Sequence, residues 1–194
     1  LGNIELTNLL KALDVVASTI ENSAVNGCVG GYSVLADGRD DKNQKLGKAG
    51  GFIGEMSGTI IKNSDANLFN YIIGREAAGG YAGIMEPGNV ASVIEDAGIL
   101  DGLLNVTDSL ASLVQSFIPI IEDSQTSSVP CGGAVRAEGF TDTQCVRGLA
   151  GGYVGYNHGG RILGNAAEGG KECATVRIRS VYGGEFAGGF TGLM

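Results

Sequence analysis

One histidine, three prolines and no tryptophan stand in a chain of 194 residues, and each scarcity closes a route. With His158 alone, the HExxH zinc motif lacks its second imidazole, and no nearby Cys or Asp spacing offers His158 the partners that a nucleophilic triad or a metal site needs. His158 itself sits in "YNHGGR", which reads as an exposed turn between two strands. So few prolines, with no Gly-X-Y period, exclude a collagen-like triple helix. The 13 basic residues face 21 acidic ones, for a formal charge of −8, and form no cluster. Nucleic acid and anionic membrane surfaces are therefore not expected as partners. The most apolar run, Leu103 to Ile121, is interrupted by Asp108, Ser109, Ser112, Gln115 and Pro119. It reads as a core helix, so no membrane insertion is expected. No charged n-region or signal-like start opens the chain, which is expected to be cut from a longer protein.

Acidic residues are plentiful but poorly grouped for chemistry. The run "ADGRDDKNQ" carries Asp37, Asp40 and Asp41 without the twelve-residue spacing of a calcium loop, and reads as a solvated acidic turn. The same three would be the first acids to consider in a β-helix glycan hydrolase or lyase. No catalytic residue, metal ligand or cofactor site is assigned, and the chain is not expected to be an enzyme. Gln144 next to Cys145 does not make a thioester pair, because adjacent strand residues point to opposite faces. Asn105-Val106-Thr107 fits a glycosylation sequon, but Thr107 is also the natural cap of the helix expected there.

What the chain has in excess is glycine: 34 residues, about 17 per cent against an ordinary ~7 per cent. The glycines recur in a pattern. "AGGFIGEMSG" begins at Ala49, "AGGYAGIMEP" at Ala78, "AGGYVGYNHG" at Ala150, and "AGGFTGLM" at Ala187. Setting Ala49 on Ala150 gives 150 − 49 = 101, and setting Ala78 on Ala187 gives 187 − 78 = 109. The difference places an insertion near "NAAEGGKE" in the second copy. The chain thus reads as two tandem units, residues 1–97 and 98–194, the second expected to stop in mid-unit.

Each unit mixes two textures. Short runs such as "GTIIKN", "NYIIG", "GRILGN" and "ATVRIRSVY" are rich in β-branched and aromatic residues and bounded by Gly, Asn, Ser or Asp, the signature of strands in coils 28–96 and 131–194. Stacking of such coils would bring Phe52, Tyr81, Tyr153 and Phe190 to equivalent stations as an interior ladder. The second texture is a helical stripe, expected over residues 4–24 and again over 103–121, each inserted before a strand series. The fold class expected is mainly β: β-solenoid, parallel β-helix-like coils with inserted amphipathic helices, in a tandem repeat array.

The string Gly-Gly-aromatic-x-Gly followed by a glycine turn and Ile-x-Asn-Ser, as in Gly50 to Ser64, resembles the GLUG motif of bacterial cell-surface proteins and adhesins of Gram-positive and gut-anaerobe type. The resemblance covers roughly residues 28–90 and 131–194. It implies a right-handed β-helix-like coil, an extracellular location on the cell surface or cell wall, and a structural or adhesive role.

Four cysteines, Cys28, Cys131, Cys145 and Cys173, permit three fully paired connectivities. Equivalent stations in the two copies are expected to lie several coils apart, beyond the ~7 Å reach of a disulfide, so Cys131 with Cys145 or Cys173 is preferred over Cys28 with Cys131. Buried free thiols are an equal alternative. The leading functional expectation is a structural repeat module forming an elongated stalk or filament, whose partners are neighbouring repeats or further copies of itself. The alternative is a module that binds a host matrix protein or glycan through exposed tyrosines such as Tyr32, Tyr156 or Tyr182, and a carbohydrate-active enzyme comes last.

Overall fold

The computed structural model of the chain describes residues 18–38, 47–88, 118–130, 132–141, 144, 145, 148–164 and 174–194. These residues are mainly β-strand, and among them there is no helix. The chain passes four times through the same series of short strands. The first circuit holds β1 (Thr19–Glu21), β2 (Ala24–Asn26), β3 (Tyr32–Leu35), β4 (Lys48–Gly50) and β5 (Ile53–Ser57). The second holds β6 (Ile60–Lys62), β7 (Asp65–Gly74), β8 (Ala77–Gly79) and β9 (Ala82–Glu86). The third holds β10 (Ile120–Glu122), β11 (Gln125–Ser128) and β12 (Ala134–Ala137), then an antiparallel pair, β13 (Phe140–Thr141) and β14 (Gln144–Cys145), then β15 (Leu149–Gly151) and β16 (Val154–Asn157). The fourth holds β17 (Arg161–Leu163), β18 (Thr175–Arg177), β19 (Ser180–Gly183), β20 (Phe186–Gly188) and β21 (Thr191–Leu193).

Corresponding strands pair in parallel. Sheet I runs β1-β6-β10-β17, sheet III β4-β8-β15-β20 and sheet IV β5-β9-β16-β21. Sheet II is the widest, with β7 flanked by β2 and β3 on one side and by β11 and β12 on the other, and with β18 and β19 outermost. Circuits two and three, which belong to different sequence copies, pair in all four sheets.

In-register parallel pairing puts like residues on like, and the interior is built from these rows. Ile20, Ile61, Ile121 and Ile162 form one row. Val34, Ile72, Val135 and Val181 form a second, and Ala49, Ala78, Ala150 and Ala187 a third. Each β-branched side chain fits the pleated surface and removes its apolar area from water, stabilising by roughly 1.5–3 kcal/mol when fully buried. Ile61, Ile72, Ile121 and Val135, in the two central circuits, are fully buried.

The corner leaving sheet I explains the Asn-Ser pairs. Asn22, Asn63 and Asp123 occupy it with φ of 52°, 44° and 51°, a left-handed conformation that Asn and Asp tolerate better than other side-chain-bearing residues. The Asn63 amide donates to Asn22 Oδ1 at 2.7 Å. The following serines interlock: the Ser23 and Ser64 backbone N–H groups donate to Ser64 Oγ and Ser124 Oγ at 3.2 and 3.1 Å. A corner that would strand polar groups inside is thereby satisfied circuit by circuit.

The repeated Gly-Gly-aromatic-x-Gly is an arch that turns sheet III back over sheet IV. A Cβ on Gly79 would lie 1.9 Å from the Ala82 carbonyl within the same arch. One on Gly80 would lie 2.1 Å from the Gly152 carbonyl of the next circuit, and one on Gly83 2.4 Å from the Gly54 carbonyl. Three glycines, three different backbone approaches: that is why the motif needs all of them.

The helical expectation fails where it can be compared. Residues 19–21 and 24–26, at and beyond the end of the segment placed over 4–24, are strand, and so are 120 and 121 of the segment over 103–121. Ile20 and Ile121 have the right spacing for an apolar helical stripe, but the parallel isoleucine row takes them. The remainder of both segments lies outside the described residues.

Candidate functional site

The four aromatics of the glycine motif come together as one column. Phe52 and Tyr81 stack with ring centroids 5.1 Å apart, Tyr81 and Tyr153 5.0 Å apart, and Tyr153 and Phe190 4.9 Å apart, all within 11° of parallel. Tyr81 and Tyr153 are fully buried, and their hydroxyls donate to the Ser64 and Ser124 carbonyls, each at 3.0 Å. Burial pushes both phenols well above the usual tyrosine range. The two central rings are inside, at a place no ligand reaches, while Phe52 is half-buried and Phe190 is 38% exposed at the ends of the column.

The outer face of sheet II is different. Its strands alternate, so Ile72, Val135 and Val181 point in while two rows point out. One outward row is Ser33, Tyr71, Ala134 and Ser180; the next is Leu35, Ile73, Arg136 and Tyr182. Tyr71 is 49% exposed and Tyr182 60%. A shallow cavity of about 550 Å³ lies between them, floored by Ala134 and Ile73 and edged by Arg136 and Glu138. Arg136 Nε approaches Glu138 Oε1 at 3.7 Å, Arg75 Nη1 donates to Glu138 Oε2 at 2.9 Å, and Arg75 Nε pairs with Asp37. The Asp37 hydrogen bond, outweighing partial burial, holds the Arg75 guanidinium above its ordinary value.

A second cluster lies on the sheet III–IV arches. In the other circuits the positions facing each other across the arch are apolar or small, as in Ala77 with Ile84 and Leu149 with Tyr156. In the first circuit they are Lys48 and Glu55, paired at 2.6 Å. The hydrogen bond from Lys48 draws the Glu55 carboxyl below the usual range, while burial and a hydrogen bond with Glu55 push Glu86 up. Burial also raises Glu76, whose Oε2 has no hydrogen-bond partner. Two carboxyls pushed apart are what acid–base chemistry uses. Here, however, Glu55 is 40% exposed and neutralised by Lys48, so that pair reads as a solvated ion pair.

The residues singled out from sequence fall variously. Tyr32 is half-buried, its hydroxyl donating to the Gly51 carbonyl at 2.8 Å and its pKa pushed up to about 12 by burial. Tyr156 is half-buried and stacks on the exposed His158 at 5.5 Å. Tyr182 faces the cavity. Tyr71, overlooked among the strand residues, faces it too; its place in the alternation of "FNYIIG" was the available signal. Asp37 is engaged by Arg75, whereas Asp40 and Asp41 lie outside the described residues. Cys28 is exposed and free. Cys131 and Cys173 lie outside the described residues, as does the side chain of Cys145 at the end of β14. The strands before Cys28 and Cys131, β2 and β11, are separated by β7 alone rather than by several circuits.

Among the described residues no group of three or more His, Cys, Asp and Glu side chains could hold a metal ion, and no helix is long and apolar enough to cross a membrane. Comparison of the chain with protein-family models, with curated proteins and with solved structures finds no match in any of the three.

Proposed function

We propose that the chain is a β-solenoid repeat module of a large extracellular cell-surface protein, in which stacked circuits build an elongated stalk or filament and contribute to adhesion. The observation that carries this reading is the in-register pairing of sheets I and III: the isoleucine and alanine rows run through four circuits, across the junction of the two sequence copies. Such an array sums nearest-neighbour interfaces, so length grows by repetition without a new core. The glycine, asparagine, serine and aromatic positions of the motif are all occupied in packing one circuit on the next, which favours a scaffold over a catalyst.

Two measurements test it. Small-angle scattering on tandem fusions of one, two and three whole chains should show maximum dimension growing by about 19 Å per chain, four circuits at ~4.8 Å each, with constant cross-section. Growth of the cross-section instead would overturn the stalk. Protease treatment of intact source cells should release peptides of this chain. Their recovery only after lysis would overturn the surface location.

A further inference from the structure

We propose that the outer face of sheet II is a saccharide-binding site, taking a linear, uncharged hexopyranose chain that lies across β7, β12 and β19, with one ring on Tyr182 and another on Tyr71. Four observations converge on that occupant.

The two tyrosines are the first. Both stand well out of the protein surface, on strands two positions apart. By strand spacing their Cα atoms are about 12 Å apart along a diagonal. Each ring leaves about half or more of its surface in water; the C–H face of a pyranose supplies the apolar surface such a ring can cover. The second is the floor. Ala134 lies between Tyr71 and Ser180 in its row, and this small side chain opens the cavity of about 550 Å³, a volume within the usual range for small-ligand sites.

The third is polar equipment. Arg136 is exposed, with the nearest carboxylate oxygen among the described residues 3.7 Å away, so its guanidinium N–H groups are open to a ligand. Glu138 is steered by Arg75 from behind at 2.9 Å. An open donor fork beside a carboxylate held by Arg75 is equipment that reads vicinal hydroxyls. The fourth is charge. Among the residues that line the cavity, one cation, Arg136, stands beside one anion, Glu138, which favours neither an acidic nor a basic ligand.

The same face suits a peptide poorly. Of the strands it presents, β7 and β12 are paired on both sides, and only the open edge of β19 offers backbone groups, so strand addition would extend the sheet beside this face and not lie across it. Ser33, Ser180 and Arg136 break any apolar stripe for a helix.

The test uses the whole chain and six neutral hexopyranose probes: cello-, manno-, malto-, isomalto-, laminari- and N-acetylchito-hexaose, titrated calorimetrically. Saturable binding of at least one is expected. Tyr182→Ala and Tyr71→Ala should each weaken it roughly tenfold or more, as truncation of an aromatic anchor does. Arg136→Lys should weaken it too, since an ammonium cannot present the fork. All three side chains are exposed enough that unchanged circular dichroism and thermal midpoint are expected, and Leu35→Ala, elsewhere on the same face, should bind as wild type. Binding to none of the six, binding only after uronic acids are substituted for the neutral sugars, or binding unchanged by the tyrosine variants would each overturn the proposal.

Discussion

Truncating the aromatic column one rung at a time should give an uneven result. Tyr153 is fully buried and stacked on both faces, at 5.0 and 4.9 Å. Replacing it by Ala removes a large core side chain, costing about 3–5 kcal/mol, and that figure already contains two stacking contacts of ~0.5–1.5 kcal/mol each. Tyr81 is in the same position and should cost the same. Phe52 and Phe190 each have one stacking partner, and Phe190 is 38% exposed. Their alanine variants should cost about half as much, roughly 1.5–2.5 kcal/mol. Tyr153→Phe isolates the hydroxyl donated to the Ser124 carbonyl at 3.0 Å, and should cost about 1 kcal/mol. Urea unfolding followed by circular dichroism measures these differences, and native-state hydrogen exchange shows whether the ends open first. Costs equal at all four rungs, or a loss below ~0.5 kcal/mol at Tyr153, would refute the reasoning that burial and two-sided stacking hold the column together.

The glycine arch makes a paired prediction. Gly80→Ala puts a methyl 2.1 Å from the Gly152 carbonyl oxygen, with the buried Phe69 ring 3.3 Å away, whereas Gly189→Ala meets nothing within 4 Å; the first should cost ~3 kcal/mol or more and the second under ~0.5 kcal/mol in the same unfolding assay. Leu68 sits at φ 61° in the middle of β7, so Leu68→Asn should be neutral or stabilising by up to about 1 kcal/mol, and a large loss would show that its side chain outweighs the backbone strain. Because Glu86 is raised in the folded state, by burial first and by Glu55 second, the fold binds that proton more tightly than the unfolded chain does. Its contribution is therefore full at low pH and is lost as pH rises from the ordinary carboxylate range through the folded value. Glu86→Gln should flatten this fall, and an unchanged pH profile of the thermal midpoint would contradict it. Burial likewise raises Tyr32, Tyr81 and Tyr153, so their phenolate absorbance should appear only together with alkaline unfolding, not before it.

The sequence by itself determined the parts that repeat. The spacing of Ala49, Ala78, Ala150 and Ala187 is the register of sheet III, and Phe52, Tyr81, Tyr153 and Phe190 align in the chain as they align in space. This legibility has a physical cause: in a parallel in-register stack each residue's principal neighbour is its own counterpart, so long-range contacts are written as internal periodicity. Features without periodicity stayed hidden until the sheets formed. Ile20 and Ile121 fit an apolar helical stripe as well as a strand, and only pairing with Ile61 decided between them. The sequence period of about a hundred residues concealed that the structural unit is one circuit. The Tyr71–Arg136–Tyr182 face draws on three circuits whose residues share no motif. Its members meet because parallel pairing sets β7, β12 and β19 side by side and strand alternation turns those side chains to water, a juxtaposition that belongs to the tertiary structure alone.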